Sequence, residues 1–205
     1  MKVGILGGTF DPIHLGHLII AEEARVRLGL EEVLFIPTGQ PWMKGGQPIS
    51  PSQHRMNMVR LAVASNPFFK VCSMEMERPG PSYTVETLEE LRRHRGPGHE
   101  FFFILGLDSL KEFHRWKDPA GILERCTLVA LRRPGYEKVA LAHLEEVRPD
   151  ALARVVFLDA PLIEISGTEI RRRVASGVSI RYWVPREVEE YIYHNGLYRN
   201  TEVHQ

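Results

Sequence analysis

Six short apolar runs, at 2–7, 32–37, 69–74, 101–106, 127–131 and 154–159, alternate along the chain with helical patterns at 15–29, 51–65, 84–95, 107–113, 119–124, 137–147, 168–175 and 185–194. Strands that alternate with helices pair in parallel, and a parallel sheet is covered by helices on both faces. Phe101-Phe102-Phe103-Ile104-Leu105 is apolar at every position, as a strand buried on both sides requires. The expected fold is α/β, a doubly wound parallel sheet with a small C-terminal helical part. At 205 residues the chain has the size of one well-buried domain. We read 1–164 as its core, 165–194 as the C-terminal part and 195–205 as a frayed tail. Ligands of such sheets lie at the carboxyl ends of the strands, near the point where strand order reverses.

The exit of the first strand is the most specific stretch. Lys2 to Leu6 form an apolar run, followed by Gly7, Gly8, Thr9, Phe10, Asp11, Pro12, Ile13, His14, Leu15, Gly16 and His17, where a helical pattern begins. Gly7 and Gly8 have no Cβ, so a phosphate can approach the backbone. The helix start adds N–H groups and partial positive charge. His14 and His17, three apart, point to one helix face. Two loops, 37–50 and 76–83, are long for connections and read as binding loops or lids.

Charge and cysteine usage narrow the partners. Lys and Arg total 26 and Asp and Glu 26, a formal net charge of +0. A chain that wraps nucleic acid carries a basic excess, so no nucleic-acid partner is expected. Cys72 and Cys126 lie in apolar runs and read as small buried hydrophobes, which favours a reducing compartment. No Cys or His spacing marks a metal site. No stretch reaches the length of a membrane span, and the N-terminal run is short for a signal peptide. The expected location is the cytoplasm, with no membrane partner. Self-association into a homo-oligomer stays open.

The string GGTFDPIHLGH resembles the HxGH signature of the nucleotidyltransferase superfamily, and more closely its nicotinate-mononucleotide adenylyltransferase branch. Thr9, Phe10, Asp11, Pro12, His14, Gly16 and His17 match in register. The likeness runs from residue 2 to about 194, with further motifs in the family's order, and implies a Rossmann-like fold. Ile165-Ser166-Gly167-Thr168-Glu169-Ile170-Arg171 resembles the second signature, ISSTxIR, with Gly167 replacing a serine and its hydroxyl. Ser166 or Thr168 suits a helix cap, and Arg171 in the first turn can reach a polyphosphate. Arg172 and Arg173 turn away by about 100° per residue and read as a solvated face. Lys44, in Pro41-Trp42-Met43-Lys44, partly matches a family lysine and suits a triphosphate as a mobile charge.

Ser82-Tyr83-Thr84 resembles the family's SYT segment, whose threonine and helix start hold the nicotinate carboxylate; as a cap, Thr84 would make an anion site. Gly106-Leu107-Asp108-Ser109-Leu110 with Trp116-Lys117 is similar to its GxDxL…W pattern. Asp108 at a strand's end suits a ribose hydroxyl, and Trp116 offers a face for a pyridine ring. The resemblance puts the backbone after Trp116, at Lys117, against the carboxylate. The other histidines (His54, His94, His99, His114, His143, His194 and His204) read as surface or satisfied residues.

The resemblance implies a reaction: ATP and nicotinate mononucleotide give nicotinate adenine dinucleotide and pyrophosphate, in NAD biosynthesis. His14, His17 and Arg171 would be catalytic. Gly7, Gly8, Thr9, Phe10, Lys44, Gly106, Asp108, Ser166 and Thr168 would hold ATP and its phosphates, and Thr84, Trp116 and Lys117 the nicotinate. Mg2+ would accompany ATP, held by substrate and water with no protein metal site. The rivals are another HxGH nucleotidyltransferase, with nicotinamide mononucleotide or phosphopantetheine as acceptor, and a non-catalytic nucleotide-binding module. The SYT and GxDxL…W segments speak against phosphopantetheine; acid and amide differ by a single group.

Overall fold

The computed structural model describes residues 1–42, 49–132, 142–159, 161 and 163–199. In chain order they form β1 (Lys2–Gly8), α1 (Leu15–Leu28), β2 (Glu32–Pro37), β3 (Gln40–Pro41), α2 (Ser52–Val63), β4 (Phe69–Val71), α3 (Met74–Glu77), β5 (Pro81–Ser82), α4 (Thr84–Arg95), β6 (Glu100–Gly106), α5 (Leu107–Lys111), α6 (Pro119–Arg125), β7 (Thr127–Arg132), α7 (Ala142–Val147), β8 (Val155–Asp159), α8 (Gly167–Ala175) and α9 (Arg186–His194). Six strands make one sheet in the order β4-β2-β1-β6-β7-β8, every pair parallel. Counted within this sheet, the order is 3-2-1-4-5-6, that of dinucleotide-binding α/β sheets. The order reverses between β1 and β6, so a crevice opens beyond Gly8 and Gly106.

Alternation along each strand divides the core. Leu6, Val33, Phe35 and Ile104 face one layer, with Ala21 and Ala24 of α1, Met58 and Val59 of α2, Ile170 and Val174 of α8 and Val188 and Ile192 of α9. Val3, Ile5, Leu34, Ile36, Phe101, Phe103 and Leu105 face the other, with Val85, Leu88 and Leu91 of α4, Leu110 of α5 and Ile122 and Leu123 of α6. β2 is buried at every residue, which explains its unbroken apolar reading. Its one charge, Glu32, is matched by Arg95 at 2.6 Å.

The sequence reading departs from the structure in three places. The strand expected over 69–74 ends at Val71, and Met74–Glu77 turns into a helical turn, in keeping with the helix propensity of Met and Glu. The two long loops pair with each other: β3 and β5 form a small parallel sheet, Gln40 opposite Pro81 and Pro41 opposite Ser82. Such two-residue strands carry no periodicity to read. The frayed tail does not begin at 195. Leu197 and Tyr198 pack on the core, and the Tyr198 hydroxyl donates to Asp11 Oδ1 at 2.6 Å. The helix expected over 137–147 is described from Ala142; 137–141 lie outside the described residues.

Candidate active site

A cavity of about 890 Å³ opens at the carboxyl ends of β1 and β6, toward the upper end of the roughly 300–1,000 Å³ of small-molecule sites. Its wall includes Gly7, Gly8, Thr9, Phe10, His14 and His17 from the exit of β1, and Ser166, Thr168 and Arg171 from the start of α8. Thr84, Gly106, Asp108 and Trp116 line it as well. Residues from five separate stretches of sequence thus converge. Lys117 is not part of this wall: its ammonium sits 2.6 Å from Glu86 and over the Tyr83 ring. Lys44 lies outside the described residues.

The turn after β1 is shaped by what has no side chain. Phe10 adopts φ 49°, a region unfavourable for a residue with a Cβ. Its ring, 2% exposed, packs between Phe35 and the edge of His17. A Cβ on Gly8 would stand 3.1 Å from that ring, so glycine admits it. A Cβ on Gly16 would lie 3.0 Å from His14 Nδ1, so the glycine between the histidines lets His14 fold over the helix start.

The histidines stack at 3.7 Å between ring centroids. The His14 backbone N–H donates to His17 Nδ1 at 3.2 Å. An accepting Nδ1 carries no proton, so the His17 ring proton lies on Nε2. The return contact at His14 Nδ1 falls short of hydrogen-bond geometry, leaving that buried nitrogen without a partner. Burial pushes the His14 pKa down to about 4, so near neutral pH His14 is an uncharged imidazole. Two stacked rings that are not both charged avoid mutual repulsion and still offer N–H donors.

Asp11 ties this side of the cavity together. Its carboxylate accepts from the Ser50 N–H at 3.1 Å and from Tyr198, and its carbonyl accepts from Arg171 Nη1 at 2.7 Å. Arg171 also reaches Thr168 Oγ1 at 3.3 Å, so its guanidinium is oriented before any ligand arrives. Ser166 caps α8 by accepting from the Glu169 N–H at 3.2 Å. Arg172 pairs with Glu169 on the surface. Arg173 is not simply solvated: it donates to the Ser179 carbonyl and covers the Trp183 ring.

At the far side Thr84 is the first residue of α4 and Tyr83 is the cap, with no side-chain capping bond. The expected cap role of Thr84 therefore moves one residue back, because the Tyr83 carbonyl takes the Glu86 and Thr87 N–H groups. Thr84 instead lines the cavity. Trp116 stands edge-on to Phe103 at 5.9 Å, and its buried Nε1 has no partner. Asp108 is largely exposed at the rim, 3.5 Å from Lys111.

Four residues escaped the sequence reading. Asp11 is legible in the sequence only as a motif match, and Tyr198 falls in the expected tail. Arg132 ends β7, lines the cavity and pairs with Asp159 at 3.2 Å. Arg55, 2% exposed, lies beneath the turn. An arginine in a predicted helix was the available signal, and it reads as surface by default. Among the described residues no three His, Cys, Asp or Glu side chains converge on a metal position, and no helix is long and apolar enough to cross a membrane.

Residues 5–173 match the model of the cytidylyltransferase-like family. A probable nicotinate-nucleotide adenylyltransferase of Thermus thermophilus is 49% identical, over 97% of this chain and 100% of the relative. One of Dehalococcoides mccartyi is 43% identical, over 97% of each. The structure of the Plasmodium falciparum nicotinic acid mononucleotide adenylyltransferase complexed with NaAD superposes with a TM-score of 0.75 at 18% identity, over 96% of this chain and 97% of that one. That last likeness is one of fold.

Proposed function

This chain belongs to the cytidylyltransferase-like family, and we propose that it transfers the adenylyl group of ATP to nicotinate mononucleotide, as a nicotinate-nucleotide adenylyltransferase of NAD biosynthesis. The observation that carries this reading is one cavity with His14, His17 and Arg171 on one side and Thr84 and Trp116 on the other. The names of the curated relatives point to the same reaction.

An oxygen of the mononucleotide phosphate attacks the α-phosphorus of ATP. The new P–O bond forms as the bond to the bridging oxygen breaks, and pyrophosphate leaves with that oxygen. The nucleophile is already an anion, so no general base is needed. Catalysis is alignment plus charge stabilisation. In this proposal the N–H donors of His14 and His17 meet the charge that develops on the α-phosphoryl oxygens. Backbone N–H groups of 8–10 hold phosphate, and Arg171, with Lys44, meets the departing pyrophosphate. Gly106 and Asp108 receive the ribose side, while Ser166 and Thr168 border the triphosphate.

Mg2+ enters as part of the substrate, MgATP; the groups around the phosphates are chiefly N–H donors, which complement phosphate oxygens and leave the ion to those oxygens and water. Thr84 and the start of α4 receive the nicotinate carboxylate, and Trp116 stacks on the ring. Free nucleotides in the cytoplasm, not nucleic acid, are the proposed partners.

The test is pyrophosphate release from MgATP with nicotinate mononucleotide and with its amide, side by side. Preference for the acid is expected. Equal rates would remove the carboxylate site around Thr84, and no release with either would overturn the reaction.

A further inference from the structure

Beneath the phosphate side lies a buried cation with no part in the scheme above. Arg55, on α2, is 2% exposed, and burying a guanidinium is costly unless its donors are matched. Here they are matched by backbone. Nε donates to the Ser50 carbonyl at 3.0 Å, Nη1 to those of Thr9 at 2.9 Å and Thr38 at 2.7 Å, and Nη2 to that of Gly39 at 3.2 Å. The four carbonyls belong to the exit of β1, the exit of β2 and Ser50, two residues before α2, so one guanidinium joins three separate segments. One of these carbonyls bears directly on the site.

We propose that Arg55 is a positioning residue: by holding the Thr9 carbonyl it fixes the Thr9–Phe10 peptide with its N–H turned into the phosphate end of the cleft. In a trans peptide the C=O and the following N–H point in opposite directions, and the Thr9–Phe10 bond is trans. A carbonyl drawn down to Arg55 therefore sends the Phe10 N–H to the side that Thr9 and Phe10 line. Phe10 needs such an anchor. Its φ of 49° is uphill for a bulky residue, and reversing the peptide would aim a carbonyl at phosphate. The planar fork of arginine is suited to serving four acceptors at once; a lysine ammonium, compact and with three donors, cannot reproduce it. The inference deepens the adenylyl-transfer reading and rests on it for its kinetic consequence.

The test uses Arg55→Lys, Arg55→Met and, as a stability control on the same helix, Val59→Ala. Two quantities are read well below each Tm: kcat, and the Phe10 amide resonance as Mg2+-pyrophosphate is added. In the wild type the resonance is expected to move. In Arg55→Lys it is expected to stay still, kcat to fall roughly 10- to 100-fold, less than for loss of a whole oxyanion donor, and KM for nicotinate mononucleotide to stay within about threefold. Val59→Ala is expected to lower Tm with kcat unchanged. Movement of the Phe10 resonance in Arg55→Lys as in the wild type, or a kcat loss in Val59→Ala equal to that in the Arg55 variants, overturns the proposal. Should Arg55→Met fail to fold, Arg55→Lys carries the test. The resonance is read without nicotinate mononucleotide. A wild type that binds pyrophosphate at Phe10 yet releases none from ATP would sink the reaction and leave the role of Arg55 standing.

Discussion

The two sides of the cleft are built differently. On the proposed phosphate side Asp11, His14 and Arg55 are all buried, and Asp11 joins Ser50, Arg171 and Tyr198 through three hydrogen bonds. On the proposed nicotinate side one buried bond, from Thr87 to Glu75 at 2.8 Å, lies beneath the wall, but the outer groups are loosely held: Lys117 and Glu86 form an exposed ion pair, Trp42 stands exposed 6.0 Å from Tyr83, and two-residue strands join the loops. Buried, matched networks fix geometry, whereas exposed ion pairs contribute about 0–1 kcal/mol. In-line transfer tolerates little misplacement; recognition of a ring and a carboxylate needs affinity and a difference in affinity. Lesions on the first side should therefore appear in kcat, and lesions on the second in KM.

The strongest attempt to break this contrast is His17→Ala. The contacts of the ring described above are local, to His14 and Phe10 at the helix start, so the fold should survive. Losing a donor to the developing charge should cost roughly 10²–10⁴-fold in kcat. A folded variant within a few-fold of wild type would remove His17 from the mechanism.

The second attempt uses acid. The pKa of His14 is pushed down to about 4 by burial, against about 6.5 in an unfolded chain. Between these values the unfolded state binds a proton that the folded state refuses, so stability falls as pH drops from 6.5 to 4 and this contribution is flat above 6.5. The loss is about 3 kcal/mol at most by the conversion of pKa into free energy. Denaturant titrations at pH 4.5 and 7 should give a smaller difference for His14→Asn than for wild type. Equal differences would mean that His14 is not held neutral by its surroundings.

The contrast also explains what could be read from the chain alone. Strands such as β2, buried on both faces, and helices with long apolar stripes betray themselves by pattern, so all six strands of the main sheet were legible. Gly8, His14, Gly16 and His17 were legible because their constraint is local, a turn and one helical step. Arg55, Asp11 and Tyr198 act across 46, 39 and 187 residues of separation. No periodicity records that an arginine's partners will be carbonyls, or that a tyrosine near the end returns to the first loop. Pattern alone puts the cap at Thr84, one position past Tyr83, because Tyr83 has no capping side chain to announce itself.

On the nicotinate side Thr84→Val removes a hydroxyl and preserves shape. KM for nicotinate mononucleotide should rise roughly tenfold, the size of one hydrogen bond to a charged group, with KM for ATP nearly unchanged. Equal rises in both would show that Thr84 does not distinguish the substrates.

The smallest effect is expected at Gly167, where the family signature has serine. A Cβ there would sit 3.0 Å from the Asp11 carbonyl oxygen and 3.4 Å from Arg171 Nη1. That carbonyl already holds Arg171, so the start of α8 must yield by a few tenths of an ångström to admit a side chain. If the phosphate side is as fixed as its buried bonds imply, Gly167→Ser should cost about 0.5–1 kcal/mol, within the ordinary range of crowding substitutions, and the added hydroxyl should change KM for ATP by less than about threefold. Thermal melts and steady-state kinetics measure both. A variant that is no less stable and binds ATP much more tightly would mean that α8 can shift freely toward the first loop, and the phosphate side would then be as adaptable as the side that reads the base.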